Sequence, residues 1–256
     1  MKNTWTETRH GENGKIALLT FARPPSNWMN FLSMTELAEH LERLSDQSDE
    51  VTVVMLTGGI AGYFIAHADP DDLALLAKGE RIEGDPRAWT RALALLETMP
   101  QPTVAAIDGQ AWGGGCETAL ACTMRIASEQ SHMCQPEVCV GIIPGGGGTQ
   151  RLPRLVGSAV GAELCVTGRK VRADEALRIG LVNAVLPNEN FVEAALHWCG
   201  RIVRNPPAAV FAAKKAVVEG LSMPLHDGLR LEGKLFVTAN SSDDAKKLNA
   251  EVERPG

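Results

Sequence analysis

The chain has 256 residues, with 25 Lys and Arg against 31 Asp and Glu for a formal net charge of -6, and it is 45% hydrophobic and 22% charged. Such a balance excludes a disordered chain and supplies apolar mass for a substantial core. The acid excess argues against general nucleic-acid binding, which needs basic surface, but leaves room for an anion held locally.

The first fifteen residues, Met1–Lys15, are polar and carry Glu7 and Glu12, unlike a signal or transit peptide. No run reaches the ~18 apolar residues of a spanning helix, so no membrane association is expected. Ile16–Phe21 (IALLTF) predicts a buried strand closed by Arg23-Pro24-Pro25. Ser33 and Glu36 have capping-box spacing ahead of a helix reaching Leu44, with Leu37, Leu41 and Leu44 on one face. Val51–Thr57 predicts a central strand and Lys78–Pro86 a polar, mobile surface segment. A helix over Ala88–Thr98 and a strand over Thr103–Ile107 follow, then a glycine-rich turn into a helix, then short strands over Met124–Ala127 and His132–Cys134. Strand and helix alternate to about residue 190, the signature of an α/β fold. Beyond it only helices are predicted: Glu193–Val203, Ala208–Val218, Leu225–Val237 and Ala245–Glu253. A soft boundary near residue 198 divides a core, 1–198, from a helical region, 199–256.

Six cysteines (116, 122, 134, 139, 165 and 199) show neither CxxC nor zinc spacing, and read as free thiols in a reducing, cytoplasmic compartment. No metal site is expected.

Gly113-Gly114-Gly115 follows a strand and opens a helix. Small residues there let backbone N–H groups approach a ligand, and the helix start adds positive potential, as an oxyanion or anion site needs. The phosphate-loop and dinucleotide fingerprints are absent. Gly145–Gly148 reads either as a flexible turn with Thr149 as N-cap or as a turn packed near the active site. Glu117, one turn into the first glycine-led helix, and Glu137, after Gln135-Pro136, both sit beside apolar runs. They read either as capping carboxylates or as an acid/base pair whose pKa values the surroundings push apart. Tyr63–Leu73 reads as a loop with Asp69 as an N-cap. His67 is read as a packing or solvent-exposed residue, and no histidine has triad spacing.

Together, Ile107–Glu117 (IDGQAWGGGCE), Gln135-Pro136-Glu137, Gly141–Leu152 (GIIPGGGGTQRL), Thr167-Gly168 and Ala173–Val182 resemble the enoyl-CoA hydratase/isomerase (crotonase) family, collinearly over nearly the whole chain. The resemblance implies an α/β fold, a ClpP/crotonase-like spiral of ββα units with a C-terminal helical trimerisation region, assembled as a homotrimer or homohexamer. It implies an acyl-CoA thioester substrate, with coenzyme A part of that substrate and no separate cofactor. By position, Ala68 and Gly114 would form the oxyanion hole, and Glu117 and Glu137 would be the catalytic pair. Ala66 would lie at the adenine end of the CoA and Arg23 at its N-terminal contact. His67, Asp69, Trp112, Lys214 and Phe236 complete the expected CoA and acyl contacts. Two glutamates favour a hydratase making a 3-hydroxyacyl-CoA, with Glu137 delivering a proton to Cα and Glu117 orienting water. The alternatives are an isomerase or other acyl-CoA reaction of the family, or a non-catalytic acyl-CoA-binding homologue.

The chain departs from the family pattern at four places. His67 replaces a usual glycine, Thr123 replaces a common aspartate, and Trp112 is large for its position, either crowding the acyl pocket or facing the core. The C-terminal segment lacks a usual glycine–methionine pair and carries Val252 in place of an aromatic residue.

Overall fold

The structure, a computed structural model, describes residues 3–251. Val252 and the end of the helix expected over 245–253 lie outside the described residues.

A six-stranded sheet carries the fold. Its strands are β1 (Trp5–His10), β2 (Ile16–Phe21), β3 (Val53–Gly58), β4 (Thr103–Ile107), β6 (Met124–Ser128) and β9 (Ala184–Leu186), in the order β1-β2-β3-β4-β6-β9. All neighbours are parallel except β1 and β2. The central strands are apolar runs because both faces are covered, as parallel sheets require. β1 is not anticipated by the polar reading of Met1–Lys15. It is an edge strand that buries only Trp5, opposite Phe21, so its other residues stay polar.

A second layer is built from short extended segments. β5 (Gln110–Trp112) pairs with β7 (His132–Cys134), and β7 with β8 (Val171–Arg172). Single bridges extend it: Tyr63 to Gln110, and Met29 to Ala68. Each pass of the chain through the large sheet therefore adds a piece to this layer before a helix returns it, and the result is the spiral of ββα turns.

Helix α1 (Phe31–Ser45) buries Met34, Leu37, Ala38, Leu41 and Leu44. Each large side chain contributes roughly 1.5–3 kcal/mol of apolar burial. Its cap is not the predicted box. Asn30 accepts from the Ser33 N–H at 2.9 Å, Ser33 is buried inside the helix, and Glu36 instead accepts from the Thr4 N–H at 2.8 Å. The loop expected over Tyr63–Leu73 gives way to α2 (Pro70–Ala77), a two-turn helix capped by Asp69 as predicted and containing no buried residue. Residues 78–86 are largely exposed, but Ile82 is buried in the main core beside α3 (Ala88–Thr98), which ties down a segment read as mobile.

Residue 198 lies inside α8 (Phe191–Val203), whose Phe191, Ala195 and Cys199 pack on the sheet against Ile16, Leu18, Val53 and Met55. Burial falls away after this helix. Of α9 (Pro207–Gly220), α10 (Leu225–Asn240) and α11 (Asp243–Glu251), only Lys214 is buried, while Leu221, Leu225, Phe236 and Val237 are exposed. Among the described residues no helix is long and apolar enough to cross a membrane.

Candidate active site

The second layer brings two backbone amides together. At the Met29–Ala68 bridge, the Met29 N–H donates to the His67 carbonyl and the Asp69 N–H to the Met29 carbonyl, both at 2.8 Å. Ala68 is thus left with its own N–H on the opposite side of the strand. Gly114 opens α4 (Gly114–Ala121), and a first-turn N–H has no partner within its helix. Among the described residues neither amide donates to a protein acceptor. A Cβ placed on Gly114 would stand 3.2 Å from the Ala68 Cβ, so the two donors are neighbours. Adjacent free donors are the arrangement that holds a developing oxyanion.

Two carboxyls border the same space. Glu117, in the first turn of α4, is 4% exposed, and its Oε1 accepts from the Gly148 N–H at 2.8 Å. Burial raises its pKa, against the opposing pull of the Gly148 and Gly146 amides and the Arg151 charge. Arg151 also fixes this turn, donating to the Gly146 carbonyl at 2.6 Å while gripping Glu97 through Nε and Nη2. Gly145–Gly148 is therefore the turn packed against Glu117. Thr149 is not the cap: α5 (Gly148–Val156) starts from Gly147. Glu137 opens a 3-10 turn over Glu137–Val140 and is 9% exposed. Burial, reinforced by the Glu117 charge, pushes its carboxyl up to about 7. Beside it, an amide atom of Gln135 stands 3.0 and 3.1 Å from the two carboxyl oxygens. With nitrogen there, Gln135 donates to the carboxylate; with oxygen there, it accepts the proton of the neutral acid.

Ala68, Gly114, Glu117, Glu137 and Asp69 all line one cavity of about 380 Å³. Sequence reasoning missed its apolar walls: Met29, Phe31, Leu73, Leu76, Trp89, Ile142 and Ile143. Trp89 opening the helix before the glycines, and the Ile142-Ile143 pair inside the family-like stretch, were the available signals.

The other expected contacts lie around this cavity or away from it. Asp69 is committed to structure: it caps α2 through the Asp71 N–H and accepts from Arg23 Nη1 at 2.6 Å. Arg23 also donates to the Trp28 carbonyl at 3.1 Å. His67 Nδ1 is 2.6 Å from the Ala68 carbonyl, and its ring lies 5.2 Å from that of Trp28. Ala66 is buried, donating to the Asn27 carbonyl and accepting from the Trp112 N–H. Trp112 faces neither the acyl space nor the core. Its Nε1 donates to His132 Nδ1 at 2.9 Å, and Lys170 sits over its ring at 4.4 Å. Lys214 donates to the Met99 and Gln101 carbonyls at 2.7 and 2.8 Å, and Phe236 is exposed on α10. Within one chain, Arg23, Ala66, His67, Trp112, Lys214 and Phe236 do not border the cavity. Thr123 exchanges hydrogen bonds with Thr103, its N–H donating to Thr103 Oγ1 at 2.9 Å.

The structure thus sets two free amides and two buried carboxyls around one cavity of a spiral α/β fold, an arrangement chemically able to hold a carbonyl oxygen beside groups that exchange protons. The sequence profile of the enoyl-CoA hydratase/isomerase family matches residues 11–254. The chain is 37% identical to a short-chain-enoyl-CoA hydratase of Clostridium acetobutylicum, over 95% of this chain and 93% of that one. It is 36% identical to a crotonyl-CoA hydratase of Syntrophomonas wolfei, over 91% and 89% respectively. A crystal structure of an enoyl-CoA hydratase from Bacillus anthracis matches with a TM-score of 0.83 and 34% identity, covering 97% of this chain and 95% of that one. The chain belongs to the enoyl-CoA hydratase/isomerase family.

Proposed function

We propose that the protein hydrates trans-2-enoyl-CoA thioesters to 3-hydroxyacyl-CoA. The observation that carries this reading is the convergence of the Ala68 and Gly114 amides on a cavity that also holds Glu117 and Glu137. Addition of water puts oxygen on Cβ and a proton on Cα, and negative charge builds on the thioester oxygen between the two events. The two amides stabilise that charge without reorganising. Glu137, whose carboxyl is raised to about 7, holds the proton delivered to Cα. Glu117, oriented by Gly148, positions and deprotonates the water. In this reading coenzyme A enters only as part of the substrate, and neither metal nor redox cofactor takes part.

The reading extends to assembly and compartment. The exposed apolar side chains of α9 and α10 support a homotrimer or homohexamer, and a cytoplasmic location fits the six free thiols.

The test is loss of the conjugated enoyl-thioester absorbance on crotonyl-CoA, with wild type, Glu117→Gln and Glu137→Gln side by side. Turnover by wild type and collapse in both variants is expected. An inert wild type that still binds CoA thioesters would move the protein to the binding-protein reading, and activity surviving the loss of one glutamate would move it to isomerase chemistry.

A further inference from the structure

We infer that Arg151, clamped by Glu97, is a positioning residue for hydration: through the glycine turn it sets the place of the Glu117 carboxyl, and its charge selects Glu117 over Glu137 as the ionised member of the pair. This deepens the hydratase reading and rests on it. The guanidinium spends its planar fork on three acceptors. Nε and Nη2 reach the two Glu97 oxygens at 2.7 and 2.9 Å, and Nη1 donates to the Gly146 carbonyl at 2.6 Å. Glu97 stands in the last turn of α3, so the ion pair ties the glycine turn to a helix whose Ala92, Leu93 and Leu96 are buried. The Arg151 side chain crosses directly over that turn: a Cβ on Gly147, where φ is +98°, would fall 2.2 Å from Nη1. The residues on either side of Gly147 border Glu117. The Gly148 N–H donates to Oε1 at 2.8 Å, and a Cβ on Gly146 would stand 2.7 Å from Oε2. The position of the guanidinium is thereby passed to the carboxyl across one short turn.

The charges around the pair are one-sided. Asp69, Asp72, Glu117 and Glu137 line the cavity, and among the described residues no cation does. Asp69 is answered by Arg23 Nη1 and Asp72 by the Phe31 N–H. Behind Glu117 stands Arg151, whose charge favours the ionised carboxyl. Glu137 faces the Gln135 amide and the Glu117 charge instead, and that charge favours its neutral form. The thiols of Cys116 and Cys165 add no charge, because burial, with the two glutamates, pushes both up. Interacting carboxyls ionise in turn, and a fixed cation beside one of them decides the order. Glu97 partly offsets the Arg151 charge, so its removal loosens the clamp without weakening the attraction for Glu117.

Crotonyl-CoA hydration should be followed across the pH range in wild type, Arg151→Lys, Arg151→Met and Glu97→Gln, with a thermal melt for each. Arg151→Met should lower kcat by about a hundredfold with KM little changed, and should move the acid limb of the pH profile up by about half a unit or more. Arg151→Lys keeps the charge but cannot fork Glu97 and reach the Gly146 carbonyl at once. Its kcat should fall by about tenfold with the acid limb in place, and Glu97→Gln should behave likewise. If Arg151→Met does not fold, the double variant Glu97→Gln/Arg151→Met, which leaves no unpaired charge, takes its place. An acid limb that stays put on loss of the cation would overturn the proposal and leave the hydratase reading intact, as would full kcat in both Arg151→Lys and Glu97→Gln. If wild type hydrates no enoyl thioester, the hydratase reading fails. Infrared titration of the carboxyl bands, with Glu117→Gln assigning that of Glu117, then decides the role of Arg151 alone. Glu117 should ionise at lower pH than Glu137 in wild type, and the gap should narrow in Arg151→Met; an unchanged gap would overturn the proposal.

Discussion

Gly146 and Glu117 are in such close apposition that a methyl group on Gly146 would lie 2.7 Å from the carboxyl oxygen Oε2. Glu117 accepts from the Gly148 N–H through Oε1, and the Gly146 amide draws on the same carboxyl. Gly146→Ala should leave the fold intact, because the displaced group is a side-chain end. It should lower kcat on crotonyl-CoA by about a hundredfold, the cost of misplacing a catalytic group by about an ångström. Steady-state kinetics and a melting curve check both halves. A variant with full activity would mean that Glu117 does not need its observed position.

Glu137 carries the pH dependence. Its carboxyl is raised to about 7 by burial and by the Glu117 charge, so the neutral acid is present below that pH and lost above it. Hydration rates should therefore fall as pH rises through about 7. Glu117→Gln, which removes the neighbouring negative charge, should move the residual activity profile to lower pH. A wild-type rate flat from pH 6 to 9 would contradict the assignment of Glu137 as the proton donor.

The same carboxyl bears on stability. A group whose folded pKa lies above its unfolded value of 4.5 binds a proton on folding between those two values. Stability then falls as pH rises from about 4.5 to about 7 and stays reduced above. Glu137→Gln removes that penalty. Its melting temperature should exceed that of wild type at pH 8 by at least about 2 °C, and the gap should close toward pH 4. Differential scanning calorimetry at the two pH values reads this directly.

His67 lies beside the two segments that carry the free amides. Its Nδ1 contacts the Ala68 carbonyl, and its Cβ stands 3.7 Å from where a Cβ on Gly113 would be. His67→Gly releases the contact to the Ala68 carbonyl, and kcat should drop by about tenfold with a smaller change in KM, since a loosened amide weakens charge stabilisation more than binding. The converse split, KM rising alone, would make His67 a contact for coenzyme A.

Lys214 anchors the C-terminal helices. Its ammonium donates to the Met99 and Gln101 carbonyls just past α3, and burial pushes its pKa down to about 8. Lys214→Met should cost about 2 kcal/mol or more of stability, as expected for buried carbonyls that lose a charged donor. Chemical denaturation measures it. An unchanged midpoint would return Lys214 to the substrate-contact role that the sequence suggested.

Much of this was legible in the residues. Apolar runs such as Ile16–Phe21 and Thr103–Ile107 fold as buried strands because burial on both faces leaves no other pattern. Gly114 and both glutamates, far apart or adjacent in sequence, line one cavity. What escaped depended on contacts between distant segments. β1 looked polar because an edge strand needs one buried residue, and α2 was hidden by a helix with none. Asn30 displaced the Ser33 cap because Glu36 was needed by Thr4. Trp112 was drawn outward by His132 and Lys170, which no local pattern encodes.

The two walls of the cavity differ in how they are held. Trp89 stands on α3, whose Ala92, Leu93 and Leu96 are buried in the main core, whereas Leu73 and Leu76 stand on α2, which contributes no buried residue. Opening α3 therefore requires disrupting the core, while opening α2 exposes little new apolar surface and costs a fraction of the global unfolding free energy. The backbone amides of residues 73–77 should exchange with solvent far faster than those of 92–96, and a CoA thioester should slow the first set more than the second. The α2 side of the cavity is thus the side that opens at the lower cost.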